Sequence, residues 1–403
     1  MALSYEELAA AVVERSLPAV VVDLDAFDRN VERHTAVLGG SGLTLRVASK
    51  SLRVVELLKR VLGASPVMRG VLCFTAREAL ALGKAGLDDL LVAYPSLEPA
   101  DHAALVELAR RGARACAVAD SNEAVDALSH AALRGGVTLD VVACVDMSLR
   151  VGPFAHVGVR RSPLHTVEEV VAFAERARER RGLRVRGVLA YEAQVAGLGD
   201  DSPFDPRGVR AAKALLRRTS MRELAGRRTR IVAALRGRGF DLALVNGGGT
   251  GSLEWTTPDT GVTEVAAGSG FYKPLLFDGY RSPFVRSLEP SCFFALQATR
   301  RPAPDIVTCL GGGYVASGAV GPDKLPRPVL PTGLELLSVE GAGEVQTPVQ
   351  GENAKHLPLG APVFFRHAKA GEIMERFAEV VLVRNGREEG RVPTYRGEGL
   401  TFV

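Results

Sequence analysis

Short apolar segments rich in β-favouring residues recur along the first two thirds of the chain, and an amphipathic stretch follows most of them. Eight of these segments have the length and composition of buried strands. They span residues 43–48, 71–74, 89–93, 115–119, 139–146, 184–191, 242–246 and 263–267. The first ends just before Lys50, where helical spacing of apolar residues begins at once. The pattern therefore predicts alternating strands and helices.

The stretches between the predicted strands have the periodicity of helices. Three of them, "AREALALGKAG", "PADHAALVELARRG" and "SNEAVDALSHAALRGG", end on the glycine that commonly follows a helix. Alternation of this kind indicates a parallel sheet, and eight units match a closed barrel. We therefore predict an α/β fold built on a TIM-type (β/α)8 barrel. An open doubly wound sheet is the alternative.

The pattern changes after residue 285, where short apolar runs separated by Gly and Pro replace helical periodicity. Such runs are typical of a mainly β domain. The leading segment "LPAVVVDLD" reads as a strand before the barrel, and we expect it to pair with this second domain. We assign residues 18–284 to the barrel. Residues 1–17 and 285–403 are assigned to the mainly β domain, which completes the active site.

Composition and charge exclude several classes of protein. The chain has 403 residues, is 47% hydrophobic and has a formal charge of +4, with its arginines spread over helix-like segments. We therefore expect no nucleic-acid site. There is neither an apolar run of about 18 residues nor a signal-peptide pattern, so no membrane association is expected. The five cysteines lack paired spacing, which is typical of a cytoplasmic protein.

Polar residues fall just past the ends of several predicted strands. Lys50 follows the first strand, the segment from Asp146 to Arg150 the fifth, and Tyr191 the sixth. The carboxyl ends of barrel strands share one face of the molecule, and that face holds the active site of such enzymes. Taken alone, a lysine in this position is more often a solvated loop residue, because short motifs have high false-positive rates.

Two glycine-rich loops, "NGGGTGS" and "AGSG", follow the seventh and eighth predicted strands. Barrels usually bind phosphate at these positions, and glycines expose backbone N–H groups to it. The predicted cofactor-binding residues of the loops are Asn246, Gly248, Gly249, Thr250, Gly268, Ser269 and Gly270. A lysine and a phosphate site on one face indicate pyridoxal 5′-phosphate, whose aldehyde forms a Schiff base with a lysine amine.

Seven blocks of the chain, in order, resemble those of the fold-type III pyridoxal phosphate enzymes. The closest branch is that of D-threonine aldolase and D-serine dehydratase, within the alanine racemase superfamily. The blocks are "LPAVVVDLDAFDRNV", "RVASKSLR", "FTAREALALGKAGLDDLLVAYP", "VDMSLRVG", "GVLAYEAQ", "VNGGGTGS" and "TEVAAGSGFY". The resemblance covers nearly the whole chain.

This resemblance implies roles for single residues. Lys50 would be the Schiff-base lysine, Arg150 would lie near the phenolic oxygen of the cofactor, and Tyr191 would line the same site. A guanidinium beside the phenolate would keep that oxygen ionised. The alternatives are a helix-start arginine and a core tyrosine. The resemblance also implies a homodimer, in which the second domain of one subunit completes the barrel mouth of the other.

The chain departs from the branch in "VFFRHAKAGEIMERF". The branch binds a divalent metal through a histidine and an aspartate or cysteine two residues later, and the matching pair here is His367 and Lys369. A protonated lysine cannot ligate a metal, so metal binding is doubtful and no metal ligand is assigned. Either Lys369 supplies the positive charge while His367 moves a proton, or both merely pair with Glu372 or Glu375.

The predicted activity is that of a pyridoxal phosphate lyase acting on a β-hydroxy amino acid. We expect the substrate to have the D configuration at Cα. The catalytic residues would be Lys50, Tyr191, His367 and Lys369. Retro-aldol cleavage is the leading reaction, and dehydration with deamination is the first alternative. Amino-acid racemisation comes next, with a second base sought in "VPTYRGEG". A non-catalytic cofactor carrier comes last, because such carriers lack a second domain.

Overall fold

Eight parallel strands close into a barrel in the computed structural model, which describes residues 3–152, 154–369 and 371–402. The strands pair in chain order, and the eighth pairs with the first. They are Thr44–Ala48, Met68–Cys73, Leu90–Val92, Ala115–Ala119, Leu139–Cys144, Leu183–Leu189, Leu244–Gly247 and Glu264–Ala267. Each coincides with a predicted strand. The predicted fold class, a TIM-type barrel with a mainly β second domain, is confirmed.

Helices connect the barrel strands, and several begin and end where the sequence supplies caps. Ser121 accepts a hydrogen bond from the Ala124 amide at one helix start, and Gly136 ends that helix with a φ of 65°. The connecting helices are Val55–Ala64, Ala76–Lys84, Pro99–Arg110, Asn122–Gly135, Val167–Glu179, Ala193–Ala196, Arg207–Gly237, Leu253–Thr256 and Ser269–Tyr272. Within the described residues, no helix has the length and apolar character that crossing a membrane requires.

A nine-stranded sheet forms the core of the second domain. The leading strand Ala19–Asp23 lies inside this sheet, antiparallel to one neighbour and parallel to the other, so its predicted pairing is confirmed. The remaining strands are Cys292–Ala303, Ile306–Leu310, Arg327–Leu330, Glu335–Leu336, Gln346–Gln350, Pro362–Arg366, Glu379–Arg384 and Arg387–Pro393. The leading strand thus belongs to the sheet of the second domain, although the sequence prediction placed it within the barrel range, residues 18–284. The boundaries between the two domains stay a prediction.

Shorter elements join the barrel and the sheet. Three α-helices flank the sheet strands: Tyr5–Val12, Leu24–Val37 and Pro283–Ser287. The described part of the chain contains five 3-10 turns, at Ser49–Ser51, Leu275–Gly279, Pro322–Lys324, Glu352–His356 and Glu372–Arg376. The first two of these turns and the last lie near the carboxyl ends of the barrel strands, where the two parts of the molecule meet.

The structure differs from the sequence prediction after the fifth barrel strand. That strand was expected to run to residue 146, but it ends at Cys144, because the Asp146 amide turns away to the Leu164 carbonyl at 2.7 Å. A small hairpin then follows, formed by Leu149–Val151 and Ala155–Val157. Its strands of three residues each are too short to show a clear alternation in sequence.

Candidate active site

A cavity of about 800 Å³ opens at the carboxyl ends of the barrel strands. Most of the predicted site residues face it, although they come from distant parts of the chain. Those that line it are Lys50, Tyr191, Asn246, Gly248, Gly249, Thr250, Gly268, Ser269 and Lys369. The prediction that barrel strand ends converge on one face is therefore correct for eight of these residues, while Lys369 comes from the second domain.

Lys50 lies in the 3-10 turn that directly follows the first barrel strand. The turn is anchored by Ser49, which is fully buried and donates its hydroxyl to the Leu72 carbonyl of the next strand at 3.0 Å. The Lys50 ammonium donates a hydrogen bond of 2.7 Å to the Tyr94 hydroxyl, which follows the third strand. The Lys50 amine is thus held at a defined place in the cavity wall.

The two glycine loops pack closely against the cavity wall. A Cβ atom at position 249 would lie 2.8 Å from the Ala196 Cβ and 3.0 Å from a ring carbon of Tyr191. A Cβ atom at position 268 would lie 2.7 Å from the Ser51 Cβ. Both glycines are therefore required by packing, since real Cβ atoms do not approach so closely.

Hydrogen bonds also join the two glycine loops to each other and to the turn Ser49–Ser51. The Gly270 amide donates to the Thr250 hydroxyl at 3.1 Å, so Gly270 lies behind the cavity rather than in its wall. The Ser51 and Ser269 hydroxyls are 3.1 Å apart. Hydroxyls and backbone amides therefore surround one end of the cavity.

A buried ion pair supports the loop after the seventh strand. Glu192 and Arg228 are fully buried and lie 2.9 Å apart. Glu192 also accepts hydrogen bonds from the Gly248 amide at 3.1 Å and the Ser252 hydroxyl at 2.9 Å. A buried carboxylate with these partners is well satisfied, so it fixes the loop rather than reacting with a ligand.

Five charged side chains line the cavity, three of them cationic: Lys50, Arg161, Lys369, Asp120 and Asp146. Burial raises the pKa of Asp120 above its ordinary value, although the Ser162 hydroxyl opposes this. Burial also raises the pKa of the Tyr191 phenol, with the Glu192 charge adding to it. An excess of cations suits an anionic ligand.

Arg150 is not in the wall of this cavity. It lines an adjoining cavity of about 560 Å³ and contacts Asp146, which lines both, at 2.6 Å. Burial opposes ionisation of Asp146, but hydrogen bonds from Ser148 and Arg150 outweigh it and lower the pKa of that carboxyl. Arg150 therefore borders the main cavity through Asp146, whereas Arg161 reaches into it directly.

These residues fit pyridoxal phosphate. A lysine amine stands at one side of the cavity, and two glycine loops that exclude Cβ atoms stand at another, with the Thr250 and Ser269 hydroxyls in the wall. Backbone amides and hydroxyls are the donors that phosphate prefers, and a lysine amine is the group that an aldehyde requires. Lys50, Gly249, Thr250, Gly268 and Ser269 are the residues that would hold the group.

His367 and Lys369 follow the sheet strand Pro362–Arg366 and reach the barrel mouth through backbone contacts. The Leu275 amide donates to the His367 carbonyl at 3.1 Å, and the Leu276 amide donates to the Ala368 carbonyl at 3.0 Å. Lys369 consequently lines both the main cavity and a smaller one of about 360 Å³, which His367 also lines. His367 is buried, with 2% of its surface exposed.

The donors around His367 do not fit a divalent metal. Glu372 accepts hydrogen bonds of 2.8 Å from the Ser317 amide and hydroxyl, and Glu375 pairs with Arg53 at 2.6 Å. The Lys369 ammonium donates to the Ser317 carbonyl at 3.4 Å. Over residues 3–152, 154–369 and 371–402, no three His, Cys, Asp or Glu side chains are grouped as a metal site.

Sequence reasoning missed several residues of the cavity. Tyr94 follows the third strand directly and could have been found by the rule that identified Lys50. Asp120 directly follows the fourth strand and could have been found by the same rule. Arg161 had no comparable signal, because it lies beyond the unrecognised hairpin. Tyr395, in the segment searched for a racemase base, is 1% exposed and donates to Glu78 at 2.9 Å instead of facing the cavity.

Three relatives show what this chain is similar to. It is 28% identical over 317 residues to a D-threonine aldolase from Arthrobacter sp., and the aligned residues cover 76% of this chain and 74% of that enzyme. The D-threonine aldolase structure from Filomicrobium marinum has a TM-score of 0.80 at 21% identity, over 96% and 97% of the two chains. The D-threo-3-hydroxyaspartate dehydratase structure from Delftia sp. HT23 has a TM-score of 0.77 at 19% identity, over 95% and 98%.

A family model gives the broader assignment. Residues 22–275 match the model of the alanine racemase N-terminal domain. These residues contain all eight barrel strands, the Lys50 turn and both glycine loops. The match agrees with the resemblance found in the sequence blocks. More than half of the chain is covered, and the chain therefore belongs to the alanine racemase N-terminal domain family.

Proposed function

We propose that the chain is a pyridoxal phosphate-dependent lyase that cleaves a D-β-hydroxy amino acid by a retro-aldol reaction. One observation carries the proposal: Lys50, both glycine loops and Lys369 face the same cavity of about 800 Å³. A site for the cofactor and a charged group from the second domain thus share one space. Similarity to a D-threonine aldolase over three quarters of the chain supports this reaction.

The barrel would bind the cofactor. Lys50 would bind its aldehyde carbon, and the Gly249 and Gly268 loops would receive its phosphate. Tyr191 would pack against the ring. Arg150, which pairs with Asp146 at the edge of the cavity, would lie on the phenolic side and keep that oxygen ionised. When bound, pyridoxal phosphate withdraws electrons from the Cα bond that lies perpendicular to its ring.

Residues of the second domain would accept the proton of the substrate hydroxyl. In retro-aldol cleavage the Cα–Cβ bond breaks, the β-hydroxyl loses its proton, an aldehyde leaves and Cα gains a proton. His367 would accept the hydroxyl proton, and the Lys369 ammonium would polarise the same oxygen. The two residues line one small cavity, and Lys369 also lines the main one.

Dehydration is the second candidate, and the contact between Lys50 and Tyr94 favours it. A lysine amine 2.7 Å from a phenol hydroxyl could take the α-proton once the substrate amine has displaced it. Loss of hydroxide from Cβ would then yield a keto acid and ammonia after hydrolysis. Racemisation is less well supported, because Tyr395 is buried against Glu78.

A screen of β-hydroxy amino acids tests the proposal. Purified protein loaded with pyridoxal phosphate is incubated with the D and L forms of threonine, serine and phenylserine, and aldehyde and keto acid are measured separately. We expect aldehyde from the D forms of threonine and phenylserine. Keto acid without aldehyde would favour the dehydratase, and no product with an unchanged visible absorbance would favour the cofactor carrier.

We propose further that the protein is a cytoplasmic homodimer. The hairpin next to the barrel mouth exposes two apolar side chains together, Phe154 to 91% and Val151 to 53%. A second copy would cover them, since isologous contacts are the commonest way to pair subunits. Sedimentation at nanomolar concentration should show a dimer, and Phe154→Asp should weaken it. A fully active monomer would contradict this prediction.

A further inference from the structure

A second recess, of about 450 Å³, opens beside Lys50. It shares Lys50, Tyr94 and Pro95 with the main cavity, so the two are joined at the reactive amine. Its remaining wall includes Phe74, which follows the second barrel strand, and Phe402 from the far end of the chain. We call this space the aromatic recess.

The aromatic recess is bounded by packed rings. Phe74 and Phe402 meet edge to face with ring centres 6.0 Å apart, and Phe402 meets Tyr395 in the same way at 5.8 Å. Tyr94 adds a third ring to the wall, beneath the Lys50 ammonium. Such walls favour flat apolar groups, because aromatic rings prefer edge-to-face or offset contacts.

The two arginines of the aromatic recess are already neutralised. Arg53 pairs with Glu375 at 2.6 Å and lies over the Phe74 ring at 5.4 Å. Arg77 pairs with Asp101 at 3.3 Å and donates to the Phe402 carbonyl at 3.3 Å. A substrate with a second carboxylate would have to displace these partners, whereas an uncharged ring would leave them in place.

We propose that the aromatic recess binds the substituent on Cβ of the substrate and that the preferred substituent is aromatic. This inference rests on the proposed lyase function, since it places the substrate amine at Lys50. From there the side chain can extend further into the main cavity, which the cofactor also occupies, or enter the aromatic recess. A phenyl group would contact Phe74, Tyr94 and Phe402, but the methyl group of threonine would leave most of the recess empty.

A comparison of kcat/KM among three substrates tests the inference. We expect kcat/KM for D-phenylserine to exceed that for D-threonine by about tenfold or more, since pocket contacts of one or two methylenes already discriminate by that amount. 3-Hydroxy-D-aspartate should be the poorest of the three. A preference for 3-hydroxy-D-aspartate, or equal values for phenylserine and threonine, would overturn the inference while leaving the lyase function intact. No cleavage of any substrate would overturn the lyase function itself.

Variants locate the effect in the aromatic recess. Phe402→Ala should lower the ratio of kcat/KM for D-phenylserine to that for D-threonine by about tenfold. Because Phe74 is buried, Phe74→Leu is the gentler second change, and it should lower the same ratio in a protein of near-native melting temperature. Phe204→Ala removes a 44% exposed ring outside the recess and should leave the ratio unchanged. Equal losses with both substrates in Phe402→Ala and Phe74→Leu would overturn the inference.

Discussion

At the scale of single residues, Lys369 determines what the second domain contributes to the cavity. An ammonium group stands there, its Nζ atom 3.4 Å from the Ser317 carbonyl, and the neighbouring acids Glu372 and Glu375 bind Ser317 and Arg53. We expect activity to survive exhaustive chelation of divalent metals. Lys369→Asp should lower activity by about tenfold or more, because the charge that faces the substrate oxygen is reversed.

A matched variant separates this effect from a general change of charge. Lys355 is another lysine of the second domain, paired with Glu352 in solvent, and Lys355→Asp should leave activity nearly unchanged. Adding manganese or zinc could restore part of the activity of Lys369→Asp, since a carboxylate and an imidazole are competent ligands. If chelation inactivates the native protein and a divalent ion restores it, Lys369 does not have the role proposed for it.

The site could be predicted from sequence wherever a residue directly follows a strand. Lys50, Tyr191 and the glycine loops were found because barrel strands end on one face, so sequence position alone places them together. Arg161 was missed because the hairpin before it breaks that rule. The role of Arg150 stays a prediction, because the structure places it beside the cavity rather than in its wall.

At the scale of elements, the loop after the seventh strand can be tested through Gly249. Gly249→Ala would bring a Cβ atom to 2.8 Å from the Ala196 Cβ, so the loop must shift. We expect weaker binding of pyridoxal phosphate, seen as at least a roughly tenfold higher cofactor concentration for half-maximal absorbance. Gly226→Ala, on the exposed side of a long helix, should leave cofactor binding unchanged and stabilise the fold by about 1 kcal/mol. Equal cofactor affinity in both variants would contradict this account of the loop.

The elements themselves were largely predictable, because eight buried strands separated by amphipathic helices leave a strong periodic signal. The residues at which the strands begin and end were less predictable. The second strand begins at Met68 instead of residue 71, and the fifth stops at Cys144. Tertiary hydrogen bonds set these ends, such as the one from the Asp146 amide to Leu164, and no local pattern encodes them.

At the scale of the whole molecule, a buried carboxyl joins the barrel to the second domain. Glu78 is fully buried in the helix after the second barrel strand, and it accepts hydrogen bonds from the Phe74 amide at 2.6 Å and the Tyr395 hydroxyl at 2.9 Å. Burial raises its pKa from 4.5 to about 7, although the hydrogen bonds from Phe74 and Tyr395 oppose the rise.

The raised pKa of Glu78 predicts how stability depends on pH. The folded protein retains a proton that the unfolded chain releases, so this group's stabilisation is present below about pH 4.5 and is lost as pH rises through 7. Glu78→Gln should remove the loss and be more stable than the native protein at pH 8, by up to about 3 kcal/mol. Denaturant unfolding at pH 5 and pH 8 gives the free energy of unfolding of each protein, with Glu352→Gln as the control at an exposed glutamate. Equal pH dependence in all three proteins would contradict the prediction.

Binding of pyridoxal phosphate through Lys50 at the barrel mouth underlies the whole of the proposed reaction. The most direct measurement is borohydride reduction of the loaded protein, followed by mass spectrometry of its peptides. We predict a pyridoxyl group on Lys50 and loss of the visible cofactor band in Lys50→Ala. A pyridoxyl group on Lys84 of the second connecting helix, or on Lys273 beside Asp278, with Lys50 unmodified, would contradict it.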